Sequence, residues 1–241
     1  MPLVLALHGG LDPLPAAVLR AIAERSRTLG RLVDAGCAVA VPTRAPLLGP
    51  RGLRGAVGDT LAALDALGDA GIDTRALLLF GSSGGADLAL AVSAALEPLA
   101  LVIEEPASSI ITGVLDASSV ATGAEVGPRQ AWPDDALARY TDARRAATRS
   151  LLLDVGAPVL LAVGDQRLDG VDPRSVLDQL LIPEMLECQV RFAAQVYPGL
   201  PHGQGMIAGV APDPFPESLE PVLSKLFDDV SAFFSMYVGD H

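Results

Sequence analysis

Short, nearly uninterrupted runs of apolar residues recur along the chain. Each has the length of a β-strand, and such continuous runs are typical of strands that are covered on both faces of a sheet. We therefore predict strands over residues 3–7, 37–41, 76–80, 99–103, 158–163 and 190–196.

Between these runs, apolar residues recur at intervals of three and four, which predicts helices with one apolar face. The helical spacing covers residues 14–32, 57–67, 86–96, 176–186 and 219–237. Because strand and helix alternate from end to end, the pattern predicts an α/β fold with a mainly parallel sheet and right-handed crossovers. One domain over residues 1–241 is expected.

The alternation is interrupted between residues 106 and 150. Clusters of Ser, Thr, Gly and Pro fill the first part, and a charged run of helical character covers residues 134–149. A structureless linker of this length would be unusual inside a compact domain. We therefore predict a cap or lid inserted over one edge of the sheet.

Composition narrows the function. The chain has 29 acidic and 17 basic residues, a net charge of −12, which argues against a nucleic-acid partner because a basic face is needed to neutralise phosphates. Half of its residues are hydrophobic, enough for one sizeable core. No apolar run approaches the roughly 18 to 20 residues of a membrane span. The N-terminal segment has no basic region of the secretory type, so a cytoplasmic location is expected.

The strongest chemical motif is Gly-x-Ser-x-Gly, between the third predicted strand and the helix that follows it. Ser83 is the serine with glycine at both −2 and +2, Gly81 and Gly85, whereas Ser82 lacks this flanking. A strand, this motif and a helix form the context of a nucleophile elbow. A phosphate-binding turn is the alternative, but the lysine of a P-loop is missing.

A serine nucleophile needs a base, and the chain has three histidines. His202 lies in a turn-rich loop after the sixth predicted strand, at the same sheet edge as Ser83. His8 belongs to a His-Gly-Gly segment after the first strand, where an oxyanion loop is expected, and His241 is the last residue. His202 is therefore the predicted general base.

The acid of a Ser-His-Asp triad should follow the fifth predicted strand. Three aspartates lie there. Asp172 precedes Pro173 and fits a helix N-cap. Asp165, at the strand end, and Asp169, at the start of Asp-Gly-Val-Asp-Pro, both stay open as the acid.

These motifs resemble those of the α/β-hydrolase superfamily, near its small esterase, dienelactone-hydrolase-like and prolyl-oligopeptidase-like branches. The resemblance rests on residues 8–10, 81–85 and 197–203. It implies an α/β-hydrolase fold with a minimal, mostly parallel six-stranded sheet, helices on both faces and a lid-like insertion. It also ranks Asp169 first and Asp165 second as the acid, although Arg167 stands where relatives often carry the aspartate.

The implied activity is hydrolysis of short- or medium-chain carboxylic esters through an acyl-enzyme. The N–H groups of Gly84 and of the Gly9–Gly10 loop would hold the oxyanion. No metal or cofactor is implied, and a small-molecule ester is the expected partner, with a homodimer left open. A peptidase or amidase of the same fold, or a noncatalytic ligand-binding protein, are the alternatives.

Two further expectations concern the surroundings of the site. A substrate pocket is predicted beneath the insertion, with apolar walls from Ile110, Ile111, Trp132 and Tyr140. The acidic pair Glu104 and Glu105, just past the fourth strand, is predicted to lie on a solvated face.

Overall fold

A computed structural model describes residues 1–115, 136–165, 176–210 and 217–238. Within them, one sheet of six parallel strands has the order β2-β1-β3-β4-β5-β6. The predicted parallel sheet is confirmed, and every predicted strand overlaps an observed one. The strands are β1 (Leu3–Leu7), β2 (Ala38–Ala40), β3 (Leu77–Ser82), β4 (Ala100–Glu104), β5 (Val159–Gly164) and β6 (Phe192–Tyr197).

Helices connect the strands and follow the last one. They are α1 (Ala16–Arg25), α2 (Arg27–Asp34), α3 (Gly52–Asp69), α4 (Gly84–Ala95), α5 (Ala136–Arg139), α6 (Asp142–Leu152), α7 (Ile182–Glu187), α8 (Gln204–Ile207) and α9 (Glu220–Val238). A π-helical segment, Leu177–Leu181, leads into α7, and a 3₁₀ turn, Glu217–Leu219, leads into α9.

The one long helix expected over residues 14–32 is two helices instead. Ser26 has an extended ψ of 123° between α1 and α2, and its Oγ accepts a hydrogen bond of 3.3 Å from the N–H of Leu29. Such an N-cap starts a new helix. The apolar spacing continues across this break, so periodicity alone did not reveal it.

Two apolar layers cover the sheet. In β1, Leu3, Leu5 and Leu7 pack into the layer formed with α3, α4 and α6, whereas Val4 and Ala6 face the layer formed with α1, α2 and α9. The central strands are therefore buried on both faces, as their continuous apolar runs predicted. The edge strands β2 and β6 are more exposed, because each pairs with one neighbour in the described sheet.

The register brings the carboxyl ends of the strands together. Gly81 at the end of β3 lies between Leu7 of β1 and Ile103 of β4. The loops that follow these strands therefore meet at one edge of the sheet, the place where open parallel sheets bind ligands. In the part of the chain that the structure describes, no helix is both long and apolar enough to cross a membrane.

The predicted cap at residues 106–150 is described only in part. Residues 106–115 form buried turns, and helices α5 and α6 cover most of the run expected to be helical. Trp132 lies outside the described residues. The cap therefore stays a prediction.

Candidate active site

Ser83 occupies a tight turn between β3 and α4. Its backbone has φ 53° and ψ −122°, an uncommon conformation for a residue with a side chain. The Ser83 N–H donates to the carbonyl of Glu104, and the Ser83 carbonyl accepts from the N–H of Ala86, both at 2.9 Å. These bonds hold the strained residue at the start of α4, with its hydroxyl above the sheet edge.

The glycines around Ser83 allow the elbow to form. A Cβ on Gly81 would lie 2.7 Å from the Cα of Ala86, and a Cβ on Gly85 would overlap the carbonyl oxygen of Leu7. These backbone atoms are held by the sheet and by α4, so they have little room to move. Side chains at positions 81 and 85 would therefore prevent the close packing of β3, α4 and the end of β1.

His202 reaches the Ser83 hydroxyl. Its Nε2 lies 2.9 Å from Ser83 Oγ, although 119 residues separate the two in sequence. For the hydroxyl to donate to Nε2, the neutral imidazole must carry its proton on Nδ1. The structure thus brings together the predicted nucleophile and the predicted base in the geometry that proton transfer requires.

Glu105 faces the other nitrogen of the imidazole. Its Oε2 lies 3.5 Å from His202 Nδ1, and its side chain is 5% exposed. Its Oε1 accepts a hydrogen bond from the N–H of Gly164 at the end of β5. The expected solvated face is therefore wrong for Glu105, because the turn after β4 has a positive φ of 47° that places this carboxylate under the histidine loop.

Glu104 is also buried, which corrects the same prediction. Its carboxylate accepts hydrogen bonds from the N–H groups of Gly205 and Met206, the latter at 3.1 Å. Burial raises the pKa of Glu104 to about 7, while the Ser82 hydroxyl and the Gly205 N–H favour the charged form. Glu104 thus anchors the segment that follows His202.

Of the two aspartates predicted as the triad acid, the structure describes Asp165. Asp165 Oδ1 accepts a hydrogen bond of 2.6 Å from the N–H of Gly199, so this carboxylate holds the turn that leads to His202. Asp169 and Asp172 lie outside the described residues, as does His241. The choice of Asp169 as the triad acid therefore stays a prediction.

The predicted oxyanion groups surround Ser83. Gly84 is the first residue of α4, so its N–H has no carbonyl partner within the helix. Gly9 lies against Ser83, since a Cβ on it would be 3.1 Å from Ser83 Cβ and 3.8 Å from Oγ. Gly10 follows with a positive φ of 83°. These residues could supply N–H donors to an anionic oxygen on the acyl carbon.

Solved structures share this architecture. A carboxyl esterase 2 from the fungus Tuber melanosporum has a TM-score of 0.62 and 16% identity, covering 99% of this chain and 79% of its own. Esterase B from Lactobacillus rhamnosis has a TM-score of 0.60 and 20% identity, covering 100% and 79%. A ferulic-acid-bound protein from Butyrivibrio proteoclasticus has a TM-score of 0.61 and 16% identity, covering 100% and 90%.

The chain has the α/β-hydrolase fold. The resemblance in the sequence is thereby confirmed at the level of the fold. In sequence, no family model and no curated protein matches the chain.

His8 is a weaker base than an ordinary histidine. Burial and the nearby Arg44 lower the pKa of His8 to about 4, so its imidazole is neutral near neutral pH. Its Nδ1 donates to the carbonyl of Gly9 at 2.7 Å. His8 therefore shapes the loop between β1 and α1.

Asp87 is a buried acid near the elbow that the sequence did not point to. It lies in the first turn of α4, fully buried, and accepts hydrogen bonds from the N–H groups of Ser108, Ile110 and Ile111 at 2.8 to 3.0 Å. Burial raises the pKa of Asp87 to about 7, against the effect of these three donors. The available signal was an acid in the otherwise apolar helix α4.

The expected pocket walls are mostly core residues. Ile110, Ile111 and Tyr140 are 6 to 7% exposed and pack in the same apolar layer as α4. Ile110 nonetheless borders the elbow, since its Cδ1 would lie 3.3 Å from a Cβ on Gly84. Among the described residues, no group of three or more His, Cys, Asp or Glu side chains could hold a metal ion.

Proposed function

We propose that this protein hydrolyses carboxylic esters, with Ser83 as nucleophile and His202 as general base. The observation that carries the proposal is the 2.9 Å contact between Ser83 Oγ and His202 Nε2 at the elbow of an α/β-hydrolase fold. Similarity to solved structures named as esterases supports the choice of esters over other acyl substrates.

The proposed reaction has two half-reactions. Ser83 Oγ attacks the ester carbonyl carbon while its proton moves to His202 Nε2. The tetrahedral intermediate carries its negative charge on the former carbonyl oxygen, which the N–H groups of Gly84 and the Gly9–Gly10 loop stabilise. The carbon–alkoxide bond then breaks, and His202 returns the proton to the leaving alcohol. Water repeats the sequence on the acyl-enzyme and releases the acid.

Three carboxylates compete for the role of imidazole partner. Glu105 contacts Nδ1 at 3.5 Å, a separation typical of catalytic pairs that tighten when substrate binds. Asp169 is supported by the sequence resemblance, with Asp165 behind it. Whichever acid acts, its role is to hold the imidazole in the Nδ1–H tautomer and to stabilise the imidazolium.

The proposed substrates are small neutral esters of short- or medium-chain acids. Since one related structure contains ferulic acid, aromatic acyl esters belong in the same test. A peptidase or amidase would cleave matched anilides at comparable rates, and a noncatalytic protein would cleave neither. A homodimer and a cytoplasmic location stay predictions for sedimentation and cell fractionation.

The test compares p-nitrophenyl acetate, butyrate and octanoate, methyl ferulate and the matching anilides. Ser83→Ala should lower kcat for the preferred ester by at least about 1,000-fold, because no nucleophile remains. Ser93→Ala is the matched control, since this buried hydroxyl on α4 has no hydrogen-bond partner among the described residues. Full activity in Ser83→Ala would contradict the proposal.

A further inference from the structure

A buried arginine lies behind the loop that follows β1. Arg44 comes four residues after β2 and is 3% exposed. Its guanidinium faces backbone oxygens of residues 8–11, the loop that carries Gly9 and Gly10. Arg44 stands in a mostly apolar segment with no recognisable motif, so its burial is not evident from the sequence.

The guanidinium lies within hydrogen-bond distance of consecutive carbonyl groups. Arg44 Nη2 lies 2.8 Å from Gly10 O, 3.4 Å from His8 O and 3.5 Å from Gly9 O. Its Nη1 lies 3.2 Å from both Leu11 O and Ala45 O. A planar fork with five N–H donors can serve several acceptors at once.

This arrangement determines where the N–H groups of the loop point. In a trans peptide, the C=O of one residue and the N–H of the next point in opposite directions. Because the carbonyls of His8, Gly9 and Gly10 turn towards Arg44, the N–H groups of the residues that follow them turn away from it. The positive φ of Gly10, 83°, is one of the backbone conformations from which an anion-binding nest of N–H groups is built.

Ser83 lies against this loop. Gly9 borders the Cβ and Oγ of Ser83, as a Cβ on Gly9 would lie 3.1 and 3.8 Å from them. Gly10 O borders Gly84, 2.6 Å from the position of a Cβ there. The loop therefore contacts both the guanidinium and the elbow.

Burial of this charge is costly, since transfer out of water penalises the ionised form. Burial lowers the pKa of Arg44 to about 10, which still leaves it protonated near neutral pH. Among the described carboxylates, none lies within ion-pair distance of it, and Asp12 acts only through the longer-range field. Hydrogen bonds to the carbonyl oxygens are thus the main interactions that offset the cost of burying the Arg44 charge.

We propose that Arg44 is a positioning residue that holds the 8–11 loop with its N–H groups directed at the oxyanion. The inference rests on the proposed ester hydrolysis at Ser83. Arg44 acts through the backbone of the loop and does not touch the reacting atoms. Its positive charge also lies behind those N–H groups, so it favours the developing negative charge over the neutral ester.

The test measures p-nitrophenyl acetate hydrolysis and the affinity for an alkyl trifluoromethyl ketone, whose serine adduct carries the oxyanion. Arg44→Ala should lower kcat roughly 100- to 1,000-fold, the effect of losing an oxyanion donor, with KM changed less than about threefold. Affinity for the ketone should fall in parallel, because it mimics the transition state. Guanidinium ion should restore part of the activity of Arg44→Ala.

Arg44→Lys keeps the charge and the aliphatic stem, so it serves where Arg44→Ala does not fold. Its three donors cannot span the same carbonyls, and we expect an intermediate loss of kcat and ketone affinity. Arg191→Ala is the matched control, since Arg191 also binds a backbone carbonyl, Gly156 O at 2.7 Å, but before β6 at the opposite sheet edge.

Wild-type kcat and ketone affinity in a folded Arg44 variant would overturn the inference. The inference would also be overturned if the loss of activity matched the fraction of unfolded protein, and if the folded molecules bound the ketone as tightly as wild type does. Failure of the proposed function would give a different result from failure of the inference about Arg44. In that case, Ser83→Ala would hydrolyse the ester at the wild-type rate.

Discussion

The imidazole of His202 lies between a hydroxyl and a carboxylate that follow neighbouring strands. Ser83 comes at the end of β3 and Glu105 directly after β4, and the two strands pair in parallel. A carboxylate in this place is held by the sheet itself. Glu105 therefore has the position, the burial and the backbone anchoring expected of a residue that orients the base.

Glu105→Gln tests this role at the level of one atom pair. The amide keeps the size of the side chain but removes the charge that would stabilise an imidazolium. We expect kcat for p-nitrophenyl acetate to fall by roughly 100- to 10,000-fold, with KM little changed, as for a neutralised triad acid. Steady-state kinetics of the variant, alongside its melting temperature, provide the measurement.

Substitutions of Asp165 and Asp169, the acids predicted from the sequence, are compared with Glu105→Gln. Asp165→Asn should keep most of its activity, because an amide oxygen can still accept the Gly199 N–H. Asp169→Asn decides between the two readings of the imidazole partner. If Asp169→Asn lowers kcat by roughly 100- to 10,000-fold while Glu105→Gln keeps the wild-type kcat, Asp169 is the catalytic partner of His202. The contact between Glu105 and His202 Nδ1 is then not used in catalysis.

At the scale of elements, the site depends on the close approach of α4 to the end of β1. Gly85 lies in the first turn of α4, and a Cβ there would overlap Leu7 O and come within 2.5 Å of His8 O. Leu7 is the last residue of β1, and His8 follows it directly. The same approach brings the 8–11 loop against Ser83, so elbow and oxyanion loop share one packing constraint.

Gly85→Ala should therefore destabilise the protein by about 2 to 3 kcal/mol or more, because rigid backbone and not a flexible side chain must move. Equilibrium unfolding in urea measures this change. Gly58→Ala is the matched control: Gly58 is exposed within α3, and no atom of the described part of the chain lies within 4 Å of the added Cβ. It should gain roughly 0.5 to 1 kcal/mol from helix propensity. Equal effects of the two changes would refute the packing argument.

At the scale of the whole molecule, the central strands were predictable because burial on both faces leaves a continuous apolar run, as in β1 and β5. The pairing of Ser83 with His202 was predictable, because each follows a strand at the same edge of the sheet and the base comes after the nucleophile in the chain. Glu104, Glu105, Asp87 and Arg44 were not, since in sequence a charged residue is expected in solvent. Their burial depends on backbone donors or acceptors from distant segments, which no local pattern records.

These buried charges also predict how stability depends on pH. Burial raises the pKa values of Asp87 and Glu104 to about 7, above those of unfolded carboxyl groups, whereas the pKa of His8 is lowered to about 4. A raised carboxyl pKa contributes stability that is complete below the unfolded pKa and is lost as pH rises through the folded pKa. The lowered pKa of His8 has the opposite effect between about pH 4 and 6.5, so the total curve mixes both signs.

Comparison with Asp87→Asn isolates one contribution, because asparagine does not titrate. The free energy of unfolding of wild type, minus that of the variant, should fall by roughly 2 to 4 kcal/mol between pH 5 and 8 and then stay level. Urea unfolding at each pH measures the difference. A difference that is independent of pH would mean that Asp87 is ionised throughout, with its three N–H donors outweighing burial. Glu104→Gln should show the same direction, since its carboxylate is equally buried.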